Sequence, residues 1–183
     1  MFEDIVDLNF IVTVFLIVVP AYMANGFAFI FGGGKPLNGG KVFFDGKRIF
    51  GEGKTVKGVI SGMFFGTLGY FLELAFLKIF VSYPLTFYHL FLGFVVACGA
   101  IFGDLVGSFI KRRIGLPRGA PTPFLDQLDF ILMALLFVYL FNCFYFVVNL
   151  TLSIVFVIVV VTPFAHLISC CIAYKLGKKK EPW

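Results

Sequence analysis

Between Gly103 and Asp129 the chain reads GDLVGSFIKRRIGLPRGAPTPFLDQLD. An acid lies inside an apolar stretch, a cluster of bases stands where that stretch ends, and two further acids open the next one. On a helix, Asp104, Ser108 and Lys111 recur at i, i+4 and i+7 and share one face. At about 1.5 Å per residue, Asp104 lies roughly 10 Å deeper than Lys111. An ionisable group that deep in an apolar segment faces a protein interior or a wet cavity, not lipid. Asp126 and Asp129, at i and i+3, again point one way. Carboxylates converging beside Lys and Arg suit a divalent cation carrying a polyphosphate. Helix capping is the alternative for Asp126 and Asp129, but it does not account for Asp104 in mid-segment. The stretch holds no histidine base, which fits a phosphate monoester nucleophile that is already anionic.

The elements that must position these groups are membrane helices. Of 183 residues, 60% are hydrophobic and 14% charged, and the mean hydropathy is +1.00. That balance excludes a soluble domain and points to a polytopic, all-α membrane protein. Five apolar segments, at about 8–31, 58–80, 88–110, 127–148 and 151–174, each have the ~20 residues a bilayer requires. The expectation is one transmembrane domain over 1–183, a five-helix bundle with cytoplasmic loops 32–57 and 111–126. Every Lys and Arg except Lys78 falls in those two loops or at the C-terminus, so the positive-inside rule makes the topology N-out and C-in. Chemistry then faces the cytoplasm from the cell membrane, and no nucleic-acid partner is expected. The acidic start (Glu3, Asp4, Asp7) lacks a cleavable-signal pattern, so the first apolar run is expected to be retained.

The first loop is glycine-rich and basic. It reads either as a solvated connector, with hairpin turns at Asn38-Gly39 and Asp45-Gly46, or as an anion cradle of backbone N–H groups and cations. Gly51-Glu52-Gly53-Lys54-Thr55 is not a P-loop, because Arg48 stands where the first glycine is needed. Pro20 is expected to kink or open the first helix. Asn25 either bonds a neighbouring helix or lines a site. Gly58, Gly62 and Gly66, and again Gly99, Gly103 and Gly107, form small-residue ridges for close packing. Glu73 and Lys78 read as satisfied or snorkelling groups, His89 and His166 as packing residues, and the four cysteines as buried thiols.

With those residues in view, a resemblance appears. SFIKRR followed by DQLD resembles the Ser-x-x-Lys-Arg and Asp-Arg-x-Asp blocks of the CDP-diacylglycerol synthases (phosphatidate cytidylyltransferases). Ser108, Lys111, Arg112, Asp126 and Asp129 match, Gln127 replaces the Arg, and LPRGAPTPF stands in place of the Lys-Asp and Pro-Gly-His-Gly-Gly between the blocks. Over nearly the whole chain the archaeal CDP-archaeol synthases are more similar. The pieces are Pro20-Ala21-Tyr22 with Asn25, Gly32-Gly33-Gly34, Asp45-Gly46 with Arg48, Gly53-Lys54-Thr55, Gly103-Asp104, and the two blocks above.

The resemblance implies a Mg²⁺-dependent nucleotidyltransferase that moves CMP from CTP to an isoprenoid ether glycerol phosphate lipid. It implies that Asp104, Asp126 and Asp129 serve Mg²⁺ and the triphosphate, and that Lys111, Arg112 and Arg113 hold phosphates. Arg48 and Lys54 would close over the nucleotide, Lys54-Thr55 would touch phosphate by side chain and Gly53 by backbone, and Ser108 and Asn25 would line the site. Two alternatives stand beside it. A CDP-alcohol phosphotransferase would need a second Asp pair at four-residue spacing, which is missing. A small anion transporter or scaffold would use the basic loops for headgroups, but the chain shows no convincing internal repeat of the kind transporters carry.

Overall fold

Long uninterrupted apolar runs leave the backbone no partner but itself in a bilayer, so they fold as helices. In the computed structural model these are α1 (Leu8–Ile30), α2 (Val56–Phe76), α3 (His89–Arg113), α4 (Leu125–Tyr145) and α5 (Leu152–Lys175). The structure describes residues 8–117, 120, 122 and 124–177. Glu3, Asp4, Asp7, Arg118, Lys178, Lys179 and Lys180 lie outside the described residues. All five helices are long and apolar enough to cross a membrane, α2 together with the π-helical turn Leu77–Val81 that extends it. The protein is a multi-pass membrane protein, and each helix lies close to its expected span.

Boundaries follow from local chemistry. Thr55 caps α2 by accepting from the Gly58 amide at 3.1 Å, and Thr151 caps α5 by accepting from Ile154 at 3.3 Å. The connection between α4 and α5 is organised from α4. Asn142 donates to the Val148 carbonyl at 2.7 Å and accepts from the Val147 amide at 3.0 Å. α1 is α-helical through Pro20, which is buried in the bundle, so the helix is not opened there. An expectation fails at Glu73. One Glu73 carboxylate oxygen is buried without a hydrogen bond, so this group neither snorkels nor is fully satisfied. His89 is a packing residue, its Nδ1 accepting from the Thr86 amide at 3.0 Å.

Packing centres on α3, which buries half of its apolar window, whereas peripheral α5 buries 22%. The α2 ridge of Gly58, Gly62 and Gly66 lies against Ala28, Ala24 and Pro20 of α1. A Cβ on each glycine would stand 2.7–2.8 Å from the carbonyl oxygens of those three residues. Small residues thus meet small residues at four-residue spacing on both helices, and the backbones touch. Gly62→Ala is expected to lower the thermal midpoint in detergent, reflecting about 1–3 kcal/mol of overpacking, because its nearest obstacles include the Ala24 carbonyl. α5 joins through Tyr22, whose hydroxyl bonds Thr162 at 2.9 Å and whose ring meets Phe130 edge-on.

Candidate active site

The site forms where α3 ends, α4 begins and the first loop folds across both. Nothing in the sequence stops α3 before Gly115, which takes φ +80° while the Leu116 amide returns to the Lys111 carbonyl at 3.0 Å. Lys111, Arg112 and Arg113 are therefore helical, a correction to a loop beginning at 111. Gly115 followed by Pro117 is the signal that marks the true end. Successive residues on a helix diverge by about 100°, so the three bases serve three different neighbours.

Lys111 forms an ion pair with Asp126. Asp126 also accepts from the Thr122 amide at 3.2 Å, so the helix-start role and the charge pairing coexist in one carboxylate. Asp104 pairs with Lys54 at 2.5 Å, both side chains about three-quarters buried (23% and 25% exposed). One turn on, the Ser108 hydroxyl accepts from the Gly51 amide at 3.4 Å. The Asp104–Ser108 face is thus covered by residues 51–54, as its spacing requires.

Asp129 is seated by glycine. A Cβ on Gly107 would land on its carboxylate, and one on Gly103 would meet its backbone. Its Oδ1 accepts from the Phe130 amide at 2.6 Å, and it is electrostatically coupled to Asp104, Lys54 and Asp126. The α3 ridge therefore brings in Asp129.

Thr55 has its oxygen engaged, accepting from the Gly33 and Gly58 amides at 3.1 Å each, so it ties the triple glycine to α2. Arg48 pairs with Glu52 at 2.5 Å, both side chains about half exposed (49% and 53%), which leaves the pair open to exchange. A cavity of about 240 Å³ lies between Arg48, Gly51, Glu52 and Arg112. The Arg112 Nε is buried there without a hydrogen bond. Gly53 is exposed in the adjoining turn. Asn25 is half-buried on α1 and makes no interhelical hydrogen bond among the described residues. Arg113 points elsewhere, to Asp45 at 2.7 Å, a partner that sequence reasoning missed because no local spacing links residues so far apart.

The donor set suits a hard divalent cation, since all three candidates are carboxylates and Asp129 is coupled to the other two. Among the described residues, however, no three acidic, His or Cys side chains are gathered to hold one. The expected trio is not preassembled, because Lys54 and Lys111 draw Asp104 and Asp126 to themselves.

The family model described as CarS-like, CDP-archaeol synthase, matches residues 5–183. The chain belongs to the CDP-archaeol synthase family. The CDP-archaeol synthase of Methanococcus aeolicus is 44% identical over 179 residues, 94% of this chain and 97% of its own. That of Methanococcoides burtonii is 42% identical over 177 residues, 90% of this chain and 99% of its own. A solved structure, described as an intramembrane enzyme for archaeal membrane lipids biosynthesis, superposes with a TM-score of 0.72 at 31% identity. It covers 85% of this chain and 90% of that one. Membership of the CDP-archaeol synthase family, at nearly full length on both sides, decides against the phosphotransferase, transporter and scaffold alternatives.

Proposed function

We propose that the chain transfers CMP from CTP to the phosphate of 2,3-di-O-geranylgeranylglycerol 1-phosphate, releasing pyrophosphate and forming a CDP-lipid for archaeal phospholipid synthesis. The observation that carries this reading is the pair of lysine–aspartate contacts flanking Asp129, beside a cavity lined by two arginines. Three carboxylates and four cations at one membrane mouth are what a metal-bound triphosphate and an anionic lipid headgroup need.

A lipid phosphate oxygen attacks the α-phosphorus as the bond to the pyrophosphate oxygen breaks. The nucleophile is already an anion, so no histidine is required. Arg48 and Arg112 hold the triphosphate from either side of the cavity, and the exposed Glu52 gives way to it. Lys54 and Lys111 turn from their carboxylates to the phosphate oxygens and offset charge as pyrophosphate departs. Ser108 holds the Gly51 amide, Thr55 fixes the loop against α2, Gly53 offers its backbone, and Asn25 forms part of the wall. Asp129, with Asp104 and Asp126 once the lysines release them, would hold Mg²⁺, which when bound supplies charge neutralisation at the reacting phosphate.

The first loop and the end of α3 meet directly. Their shared positive charge supports a cytoplasmic site with the N-terminus outside, in the cell membrane, with residues 1–183 acting as one transmembrane unit.

The test uses detergent-purified protein, CTP labelled at the α-phosphate, Mg²⁺ and the isoprenoid glycerol phosphate. Label is expected in the organic phase with CTP, to be lost on adding EDTA, and to be absent with ATP or GTP. Folded protein that neither binds CTP nor transfers label would overturn the proposal.

A further inference from the structure

By spacing, Arg113 belongs with the phosphate-binding bases, but both of its terminal nitrogens donate to protein, while its Nε is buried without a hydrogen bond. Its Nη1 donates to Asp45 at 2.7 Å and its Nη2 to the Arg48 carbonyl at 2.5 Å. The guanidinium lies over the rings of Phe43 and Phe109, 4.9 and 4.8 Å from their centroids. Its own carbonyl accepts from Lys47 at 2.8 Å. Only 20% of the side chain is exposed, which leaves little of it to offer a ligand.

We infer that Arg113 is a positioning residue that latches the 41–49 hairpin onto the end of α3 and so sets Arg48 at the nucleotide cavity. This rests on the CMP-transfer reading for its kinetic consequences. The hairpin is defined by the Val42–Arg48 bridge, by the Phe43 amide donating to the Lys47 carbonyl at 2.8 Å, and by Gly46 at φ +74°. Asp45 has two tasks at once, accepting from the Lys47 amide at 3.0 Å within the turn and holding Arg113 across the gap. Arg48 is where the latch meets the site: its carbonyl binds Arg113, and its side chain lines the cavity. A planar fork that bonds Asp45 and the Arg48 carbonyl while lying over two ring faces cannot be replaced by the point charge of lysine.

The latch and a direct phosphate contact predict opposite results for Asp45. Removing it from a latch undoes the docking, whereas removing it from a phosphate-binding arginine frees that arginine for the ligand. The full chain is assayed in detergent as wild type, Asp45→Asn, Arg113→Lys and the double variant. Each single change is expected to raise the KM for CTP about tenfold with the KM for lipid unchanged. The double variant should be no worse than the worse single, because both break one contact. Tryptic cleavage after Lys47 and Arg48 is expected to quicken in all three variants. That readout needs no turnover, so it decides the latch even if wild type fails to transfer CMP, and Asp45→Asn carries the test if Arg113→Lys does not fold. Wild-type KM and cleavage in Asp45→Asn, with activity lost in Arg113→Lys, would overturn the inference and place Arg113 on the nucleotide.

Discussion

Asp104→Asn is expected to cut CMP transfer by on the order of a thousandfold while the protein stays folded. Asparagine keeps the shape and most of the hydrogen-bonding capacity of the side chain but gives up its charge. Asp104 is mostly buried, so the substitution does leave Lys54 without its counterion. That cost stays modest because Lys54 rides on a loop and can turn toward water, unlike a cation fixed within a helix. Chemistry has no such relief, since a neutral amide neither serves a metal–phosphate nor restrains Lys54 until the nucleotide arrives. Asp126→Asn should act in the same direction and keep its bond from the Thr122 amide. The measurement is label transfer per folded molecule, with the detergent melting curve and elution profile as the fold control. Near-normal rates in both variants would remove these acids from the site.

Gly107→Ala should cost about a hundredfold in kcat, from a single methyl group. The added Cβ would fall on the Asp129 carboxylate, within 2.9 Å of its Cγ and 3.1 Å of its Cβ. Because Gly103 is packed against the Asp129 backbone, the helices cannot separate there cheaply. The carboxylate must leave its seat, and a displacement near 1 Å is enough to cost two orders of magnitude. Gly99→Ala is the comparison, since its Cβ meets the backbone of Ala134 and Met133, 2.7 and 2.9 Å away, and touches no acid. Both variants should melt earlier than wild type, but only Gly107→Ala should lose kcat per folded molecule. An unchanged kcat there would mean that the position of Asp129 is irrelevant to turnover.

Much of the bundle was legible because bilayer crossing imposes a length and a composition that five segments meet openly. The glycine ridges were legible as packing faces, but which partner each would meet was not. The pattern on α3 reveals that something sits close, whereas only the fold shows that it is Asp129. The shared face of Asp104 and Ser108 follows from helical geometry and is covered by residues 51–54. The roles of the three bases could not be read in the same way. Charge usually ends a membrane span, which reads these bases into a loop, yet the helix continues through Arg113 toward its Gly115 stop. Arg113 shows the limit most clearly, because its partners Asp45 and Phe43 lie in a distant loop and pairings across such separations leave no periodic trace. The ready-made metal trio failed for a related reason: composition reveals acids and bases in one region, not that they satisfy each other first.

Lys54 and Lys111 each hold one of the acids that a ligand would have to use. On the proposed reading, entry would exchange partners rather than accumulate charge. A triphosphate would offer oxygens to both amines, and Asp104 and Asp126, so released, would be free to hold the cation that neutralises it. The site would then respond to a polyphosphate and its cation together rather than to either charge alone. Without a ligand these acids and bases offset one another, whereas an unguarded acid cluster would collect stray cations and an unguarded basic one anionic lipids.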